Sequence, residues 1–332
     1  MKLINTTDAV GQVLCHDMTQ IIRGVTKDAR FRKGHIITEE DIPVLLSIGK
    51  EHIYVWENTE GMLHENDGAE ILRQLSQGEN LYPTEPKEGK ITLKASCDGV
   101  LKIDSKRLLA VNSVGELMIA TKLGNSYIEK DRNAAAMRVI PLMISEERMQ
   151  KAREAAGDKP ILSVIPIKSK KAAVVATGSE IYKGRIEDTF TPVVVDKLEA
   201  LKAEVIHTCI MDDKAEMTTA AILEEIGRGA ELVCVTGGMS VDPDDRTPLA
   251  IKNTGAEIVS YGAPVLPGAM FMLAYYHQKR EDGSEKLIPI VGLPGCVMYA
   301  GRTVFDMMLP RLLADDIVTL EDIQSLGEGG LL

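Results

Sequence analysis

Alternating strand and helix patterns between residues 171 and 255 constrain the fold of this 332-residue chain more than any other feature. Continuous apolar runs of strand length recur along this stretch, and segments of helical length separate them. The strand runs occupy 171–178, 204–211 and 231–238, and the helical patterns occupy 191–203, 215–229 and 247–255. Such alternation is typical of a parallel sheet with helices on both faces. We therefore predict a three-layer α/β/α domain with a mostly parallel sheet over residues 165–332.

Two features of these helices follow from their sequences. Thr191 precedes Pro192, which predicts that Thr191 is the N-cap and that Pro192 is the first helical residue. Offsets of three and four along the 215–229 helix indicate which side chains face the core. The predicted inner-face residues are Thr219, Ile222, Leu223 and Ile226.

The first 160 residues have a different pattern. Short runs rich in β-branched residues, punctuated by Gly, Asn and Asp, are typical of small antiparallel modules. These runs are KITLKASCDGVLKID from residue 90, KRLLAVN from residue 106 and MRVIPLMI from residue 137. Helices are expected over 38–49, with Thr38 as N-cap and Gly49 as the stop, over 68–78 and over 144–160. We predict a mixed β/α module over 1–75 and a β-rich module over 76–160.

Composition excludes several classes of protein. The net charge is −11 with both signs mixed along the chain, and a basic stripe of the kind that binds nucleic acid is absent from the sequence. An apolar run long enough for a signal peptide or a membrane span is also absent, so we expect a cytoplasmic protein. Cys15, Cys97, Cys209, Cys234 and Cys296 are widely spaced, which predicts neither a disulfide framework nor a structural zinc site.

The first strand of the predicted sheet ends in ATGSEIYKGRIEDT, residues 176–189. Gly178 allows a sharp turn, and the cations Lys183 and Arg185 next to turn amides suit a phosphate. Glu180 and Asp188 could hold Mg²⁺ or a polar ring. An ordinary turn with solvated charges explains this stretch equally well.

The strand over 231–238 ends in a glycine turn followed by three acidic residues. Gly237 and Gly238 permit close backbone approach, and Asp242, Asp244 and Asp245 precede the next helix. One aspartate suffices as a helix cap, whereas three would repel one another unless a cation lies among them. Mg²⁺ with a bound phosphate would relieve that repulsion.

A third strand ends in Gly-Leu-Pro-Gly before a helix that is expected to carry Arg302. Pro294 makes the turn rigid, and Gly295 could place backbone amides against an anion. Taken alone, this segment is interpreted nearly as well as a strand–turn–helix unit without a ligand.

Together these segments resemble a known family. The pieces TGSEIYKGRIEDT, MDDKAEM, TGGMSVDPDD, APVLPGAM and VGLPGCVM resemble, in order and spacing, the molybdopterin-binding domain of molybdenum cofactor biosynthesis proteins. That domain is shared by molybdopterin adenylyltransferase and molybdopterin molybdenumtransferase, the molybdenum insertase. TTDAVGQVLCHDMT and RKGHIITEEDIPVLLSIGKEHIYV are similar to the front of the insertase. The resemblance implies binding of molybdopterin or its adenylylated form, and Mg²⁺-dependent cleavage of the nucleotide linkage during molybdate insertion.

The resemblance and the strand ends together give a set of candidate site residues. Catalytic roles are expected for Asp188 and Asp245, and metal ligation for Glu180 and Asp245. The candidate ligand-binding residues are Thr177, Gly178, Ser179, Glu180, Lys183, Arg185, Asp212, Thr236, Gly237, Gly238, Ser240, Pro294 and Gly295.

Departures from the insertase keep three functions open. GVTKDARFRKG stands where the insertase's Ser-Ala-Met-Asp-Gly-Tyr-Ala motif is expected, Cys296-Val297 replaces its Asn-Pro, and its C-terminal β domain is absent from this sequence. The first hypothesis is a molybdenumtransferase-like enzyme, and the first alternative is a non-catalytic binder or carrier of the cofactor. GSEIYKGRIEDT and DDRT also resemble competence-damage-inducible proteins that process pyridine nucleotides. Homo-oligomerisation is expected, and the sequence leaves open the order of the oligomer and the choice between molybdate and tungstate.

Overall fold

The computed structural model describes residues 2–22, 26–55, 60–87, 89–240, 242, 245–280 and 282–332. The chain divides into two compact units, each assembled from more than one segment. The first unit comprises 1–96, 103–122 and 131–163, and the second comprises 97–102, 123–130 and 164–332. The sequence-based division of the front half at residue 75 stays a prediction.

The first unit is built from short antiparallel sheets. Its strands are β1 (Lys2–Asn5), β2 (Met18–Ile22), β3 (Thr26–Phe31), β4 (His52–Val55), β5 (Met62–His64), β6 (Leu81–Pro83), β7 (Lys90–Ala95), β9 (Leu117–Thr121), β11 (Asn133–Val139) and β12 (Met143–Ser145). The largest sheet has the order β6-β7-β11-β9, and β1–β4, β2–β3 and β5–β12 form pairs. The strands β8 (Gly99–Ile103), β10 (Ser126–Ile128) and β13 (Leu162–Pro166) form a further three-stranded sheet. The runs from residues 90 and 137 are therefore strands, as predicted.

The run from residue 106 is a helix, and its prediction as a strand was wrong. The helices of this unit are α1 (Asp41–Ser47), α2 (Glu65–Ser76), α3 (Ser105–Asn112) and α4 (Glu146–Ala156). Asp104 caps α3, because its carboxylate accepts a hydrogen bond from the backbone N–H of Arg107 at 3.0 Å. The predicted N-cap of α1 was also wrong, because the helix begins at Asp41 and Glu40 occupies the N-cap position. The Thr38 hydroxyl donates to the Asp41 carboxylate.

The second unit contains a six-stranded sheet in the order β15-β14-β16-β19-β18-β17. Its strands are β14 (Lys171–Thr177), β15 (Glu204–Met211), β16 (Leu232–Thr236), β17 (Glu257–Tyr261), β18 (Met272–Lys279) and β19 (Glu285–Leu293). The first four strands of that order pair in parallel, and β18 pairs antiparallel with β19 and β17. The mostly parallel sheet predicted from the sequence is thus confirmed.

Helices cover both faces of this sheet. The helices of this unit are α5 (Ser179–Tyr182), α6 (Phe190–Ala200), α7 (Ala215–Gly227), α8 (Thr247–Asn253), α9 (Val304–Leu313) and α10 (Leu320–Gln324). Successive strand residues point to opposite faces, so Val174 packs with the α6 and α9 side chains and Val175 with those of α7 and α8. These two apolar clusters make the three-layer α/β/α architecture that the sequence predicts.

Some helix details differ from expectation. Helix α6 begins at Phe190, so Thr191 lies inside it. On α7 the exposed fraction of Leu223 is 37%, whereas Glu225 is buried on the inner face. Arg302 precedes α9, whose N-cap is Thr303. Among the described helices, none combines the length and the apolar composition that a bilayer span requires.

Candidate functional site

The candidate site lies at the carboxyl edge of the six-stranded sheet. Thr177 at the end of β14 is opposite Met211 of β15, and Ala176 is opposite Thr236 of β16. Thr236 is in turn opposite Leu293 of β19. The four parallel strands therefore end at the same level, and the loops that follow them start side by side.

At the ends of β14 and β15, the polar groups are bonded to one another. The backbone N–H of Ser179 donates to the Asp213 carboxylate at 2.6 Å, and the Ser179 hydroxyl donates to Asp212. The Ser179 hydrogen bond is the largest cause that lowers the pKa of Asp212, and the positive charges of Lys183 and Lys214 add to it. Asp212 is thus an ionised group held by the protein's own donors.

Asp188 caps the helix that follows it. One of its carboxylate oxygens accepts hydrogen bonds from the backbone N–H groups of Phe190 and Thr191, at 2.9 and 3.0 Å. Asp188 therefore supplies the cap predicted for Thr191, and that prediction was wrong. The catalytic role of Asp188 stays a prediction.

Charged residues of the first loop lie on its surface. Glu180 is exposed on the short helix α5, and Lys183 and Arg185 are exposed in the turn after it. The position that a Cβ would occupy at Gly178 is 3.0 Å from a Glu180 carboxylate oxygen, so this side chain folds back over its own loop.

Two threonines join the loops after β14 and β16. The buried Thr177 hydroxyl donates to the carbonyl oxygen of Thr236 at 3.1 Å, and the Thr247 hydroxyl donates to the carbonyl oxygen of Gly237 at 2.8 Å. The two hydroxyl oxygens are 3.2 Å apart. Thr177 and Thr236 are both almost fully buried, so their observed contacts position the loops.

The double-glycine turn requires glycine for two reasons. Gly237 and Gly238 have φ values of +84° and +53°, in the region that L side chains seldom adopt. A Cβ on Gly237 would lie 2.1 Å from the carbonyl oxygen of Thr177. The turn after β16 can therefore lie this close to the end of β14 only because residue 237 lacks a side chain.

A cleft of about 500 Å³ opens beside this turn. Its lining residues are Phe190, Gly237, Gly238, Met239, Ser240, Asp245, Ala269, Met270, Leu293, Pro294, Gly295, Cys296, Met298 and Tyr299. The cleft brings together six of the sequence-predicted site residues, which are Gly237, Gly238, Ser240, Asp245, Pro294 and Gly295. The other candidates do not line it; they are Thr177, Gly178, Ser179, Glu180, Lys183, Arg185, Asp188, Asp212 and Thr236.

Of the described residues that line the cleft, Asp245 alone carries a formal charge. Its backbone N–H donates to the carbonyl oxygen of Asp242 at 2.9 Å. Tyr261 supports the same loop through a hydroxyl that donates to the carbonyl oxygen of Met239 at 3.2 Å. Burial, followed by the charge of Asp245, raises the pKa of Tyr261. Asp244, the third aspartate of the sequence motif, lies outside the described residues.

The reasoning from sequence missed the apolar wall of the cleft. Phe190 and Tyr299 supply aromatic rings, and the Tyr299 side chain is 78% exposed. Met270 and Met298 lie within the APVLPGAM and VGLPGCVM pieces, so those motifs already contained the signal. Exposed aromatic and thioether groups at a cleft suit a flat heteroaromatic ligand.

The donor set limits how a divalent cation could bind here. Among the described residues, no group of three or more carboxylate, imidazole or thiol ligands that includes Asp245 or Glu180 lies close enough to hold one ion. Mg²⁺ is commonly held by one or two carboxylates together with substrate phosphates. Asp245 fits that arrangement, in which the ligand supplies most of the oxygens.

One of the family models that match this chain covers the residues that line the cleft. Residues 173–314 match the model of a family described as a probable molybdopterin binding domain, and residues 3–57 match a domain of unknown function, DUF8806. The chain is 30% identical over 145 residues to a CinA-like protein of Mycobacterium avium (strain 104), covering 42% of this chain and 33% of that protein. A CinA-like protein of Mycobacterium tuberculosis is 30% identical over 92 residues, covering 27% of this chain and 21% of that protein. The chain thus spans a third or less of these relatives.

Solved structures show weaker likenesses. The tungsten cofactor synthesizing protein MoaB from Pyrococcus furiosus is 20% identical with a TM-score of 0.36, covering 45% of this chain and 98% of its own. The protein CinA from Thermoplasma acidophilum is 18% identical with a TM-score of 0.32, covering 43% and 98%. At these TM-scores neither likeness carries an argument about function.

Proposed function

We propose that the cleft beside the Gly237-Gly238 turn binds molybdopterin or adenylylated molybdopterin, as part of molybdenum cofactor biosynthesis. The observation that carries the proposal is the convergence of loops distant in sequence on one cleft within the region that matches the molybdopterin-binding family model. The cleft also lies where ligands gather in parallel α/β sheets, at the carboxyl ends of the strands.

The lining of the cleft suits the two parts of such a ligand. A volume of about 500 Å³ is within the range of small-molecule sites. Phe190 and Tyr299 offer aromatic faces for a pterin or adenine ring. The glycine turn at 237–238 and Gly295 allow a phosphate group to approach the backbone closely.

Cleavage of the adenylylated form is the finer part of the proposal. Water adds across the phosphoanhydride, one P–O bond breaks, and AMP leaves. Mg²⁺ bound with the phosphates would neutralise their charge. Asp245 would orient that assembly through its carboxylate at the cleft. Molybdate is the expected co-substrate, with tungstate as an alternative oxyanion.

A carrier function uses the same cleft without turnover. Two of the candidate carboxylates favour this alternative, because Asp188 is a helix cap and Glu180 does not line the cleft. A carrier would retain the intact ligand and release no AMP.

The second candidate function is processing of a pyridine nucleotide. The observation that favours it is the 30% identity over 145 residues to a CinA-like protein, an alignment that covers 42% of this chain. The same cleft could hold a nicotinamide or adenine ring and its phosphates. This candidate predicts binding of pyridine nucleotides and no affinity for pterins.

The first experiment is mass spectrometry of whatever small molecule copurifies with the protein. A molybdopterin-derived mass supports the first proposal, and a pyridine nucleotide supports the second. The next experiment incubates the purified protein with adenylylated molybdopterin, Mg²⁺ and molybdate, and AMP is quantified over time.

Asp245→Asn is the informative variant for that assay, and Asp242→Asn is its matched control. Asp242 is exposed and does not line the cleft. The enzyme proposal expects AMP release to fall at least about 100-fold in Asp245→Asn, the scale of losing one group that acts on transition-state charge, and to persist in Asp242→Asn. Equal rates in both variants would remove Asp245 from the proposal.

A further inference from the structure

A second cluster of ligand-type side chains lies away from the cleft, between β15 and α7. His207 and Cys209 are two residues apart on β15, so their side chains point to the same face of the sheet. Glu225 reaches the same place from α7. One ligand atom from each of these residues lies within 4.8 Å of the other two.

The Glu225 carboxylate is buried and only partly satisfied. Its side chain is 2% exposed, and one oxygen lies 2.7 Å from His207 Nδ1. The Arg228 guanidinium is 3.7 Å from that same oxygen. The other oxygen, Oε2, has no hydrogen-bond partner among the described residues. A buried carboxylate oxygen without a partner is costly, and a bound cation is one of the few groups that would stabilise it.

Cys209 does not have the properties of a reactive nucleophile. Burial, and next the charges of Glu225 and Glu224, raise the pKa of the Cys209 thiol to about 11. The thiolate, which is the nucleophilic form, is therefore scarce at neutral pH. A Cys–His–Glu arrangement for covalent catalysis is thus disfavoured, while coordination by a metal ion would itself stabilise the deprotonated sulfur.

We propose that His207, Cys209 and Glu225 bind one zinc-type transition-metal ion. Nitrogen, sulfur and oxygen ligands in one group suit Zn²⁺, whereas Mg²⁺ and Ca²⁺ prefer oxygen ligands only. Bond lengths of about 2.0–2.3 Å in a tetrahedral site place ligand atoms roughly 3.3–3.8 Å apart. Small changes in the side-chain torsion angles would bring the three ligand atoms to these distances. The His207 side chain is 37% exposed, which leaves a fourth position for water or an added ligand.

This site is independent of the cleft. Its ligands lie within β15, the edge strand of the six-stranded sheet, and on α7, and none of them lines the cleft. An ion here would connect the edge strand to the helix that covers it. The wide spacing of the cysteines predicted no structural zinc site. His207 and Cys209 are close in sequence, but the third ligand, Glu225, lies 16 residues after Cys209 on α7.

The test is a titration of the metal-free 332-residue chain with Co²⁺ and Zn²⁺, without any pterin or nucleotide. Co²⁺ should produce a thiolate charge-transfer band with one equivalent bound, Zn²⁺ should remove it, and millimolar Mg²⁺ should not. Cys209→Ser should abolish the band, and Glu225→Gln should weaken Zn²⁺ binding at least about 10-fold, the scale on which a metal site responds to lost ligand interactions.

Matched controls separate this site from unspecific binding. Cys97→Ser and Glu224→Gln change the same residue types outside the cluster, and both should keep wild-type affinity. His207→Gln is a further variant at a partly exposed position, so it tests the site even where a change at buried Glu225 impairs folding. Absence of the band in the wild-type chain, or its persistence in Cys209→Ser, would overturn the proposal. Neither outcome bears on the cleft.

Discussion

Two halves of one sheet edge carry similar sequence signals and differ in structure. Glycine and acidic residues follow β14 and β15, but hydrogen-bond donors of the protein already occupy two of these carboxylates. The Ser179 hydroxyl donates to Asp212, and Asp188 caps α6. After β16 and β19, the corresponding loops leave a cleft that Asp245 lines. A glycine and an acid after a strand therefore predict a turn, and the presence of nearby protein donors decides whether the acid can serve a ligand.

The physical reason lies in the residues that come after each glycine. Ser179 comes directly after Gly178 and brings both a backbone N–H and a hydroxyl to the acids after β15. After Gly238, the chain continues through a longer loop before α8 begins at Thr247. The Thr247 hydroxyl donates its hydrogen bond to the Gly237 carbonyl oxygen and not to Asp245. The Asp245 carboxylate therefore stays available at the cleft.

The largest expected effect is on the free energy of unfolding, and it compares two glycines. The fold requires Gly237, whereas only a bound ligand would require Gly295. Gly237→Ala should lower the free energy of unfolding by about 2–4 kcal/mol, because it combines a positive φ with a clash against Thr177. Gly295→Ala should change it by less than about 0.5 kcal/mol, because a Cβ there meets no atom within 4 Å. Urea unfolding of both variants measures the difference.

Ligand binding is a second measurement that distinguishes the Gly237→Ala and Gly295→Ala variants. Gly295→Ala should weaken it while leaving the fold intact, because the new methyl group would project into the cleft. Equal stability of the two variants would contradict the close packing of the two loops. Unchanged affinity in Gly295→Ala would show that the ligand does not approach this turn.

The next prediction concerns Asp188, one of the two acids for which the sequence predicts a catalytic role. Asp188→Ala should lower the free energy of unfolding by about 1 kcal/mol, the typical loss for an N-cap, and leave AMP release unchanged. Asp188→Asn is the control, because asparagine keeps the acceptor and should retain stability. The measurements are urea unfolding and the AMP assay. Loss of turnover in a folded Asp188→Ala protein would make Asp188 catalytic, and the two halves would no longer differ as described.

Strand and helix order could be predicted from the sequence because hydrophobic periodicity is a local signal. β15 was predicted with its observed limits, 204–211, and the three-layer architecture followed from the alternation. The helix α3 was missed because its apolar residues 108–111 form a continuous run that fits a strand equally well, and the N-cap Asp104 was not recognised as a helix start.

The site could be predicted only in part, for a different reason. Six of the candidate residues line the cleft because the carboxyl ends of parallel strands meet at one edge. The sequence could not show that Asp188 and Asp212 bond to neighbouring loops, since those partners are fixed by tertiary structure. The burial of Glu225 was missed likewise, because a strict apolar pattern places Leu223 on the inner face of α7.

A smaller effect is expected in the pH dependence of stability. The folded-state pKa of Asp212 is lowered from its ordinary value near 3.8, chiefly by the Ser179 hydroxyl. The resulting stabilisation is complete above the unfolded pKa and is lost as pH falls through the lowered folded pKa. Ser179→Ala should therefore be less stable than the wild-type protein at pH 6, and the difference should shrink below pH 4.

The matched control for this prediction is Ser240→Ala, the serine of the loop that lines the cleft. Its stability relative to the wild-type protein should not vary between pH 3 and pH 6, roughly the window set by ordinary carboxyl pKa values. Urea unfolding across this range makes the comparison. A Ser179→Ala difference that stays constant with pH would show that the hydroxyl does not stabilise the ionised Asp212.

The smallest effect decides which residue caps α6. The Thr191 hydroxyl oxygen is buried and has no hydrogen-bond partner among the described residues. Thr191→Val keeps the shape and removes an unsatisfied polar group, so the free energy of unfolding should stay the same or rise by up to about 1 kcal/mol. If Thr191 were the N-cap, the same change would lower it by about 1 kcal/mol. The sign of a urea-unfolding difference therefore decides between the two arrangements, and a decrease would return Asp188 to the set of carboxylates available to a ligand.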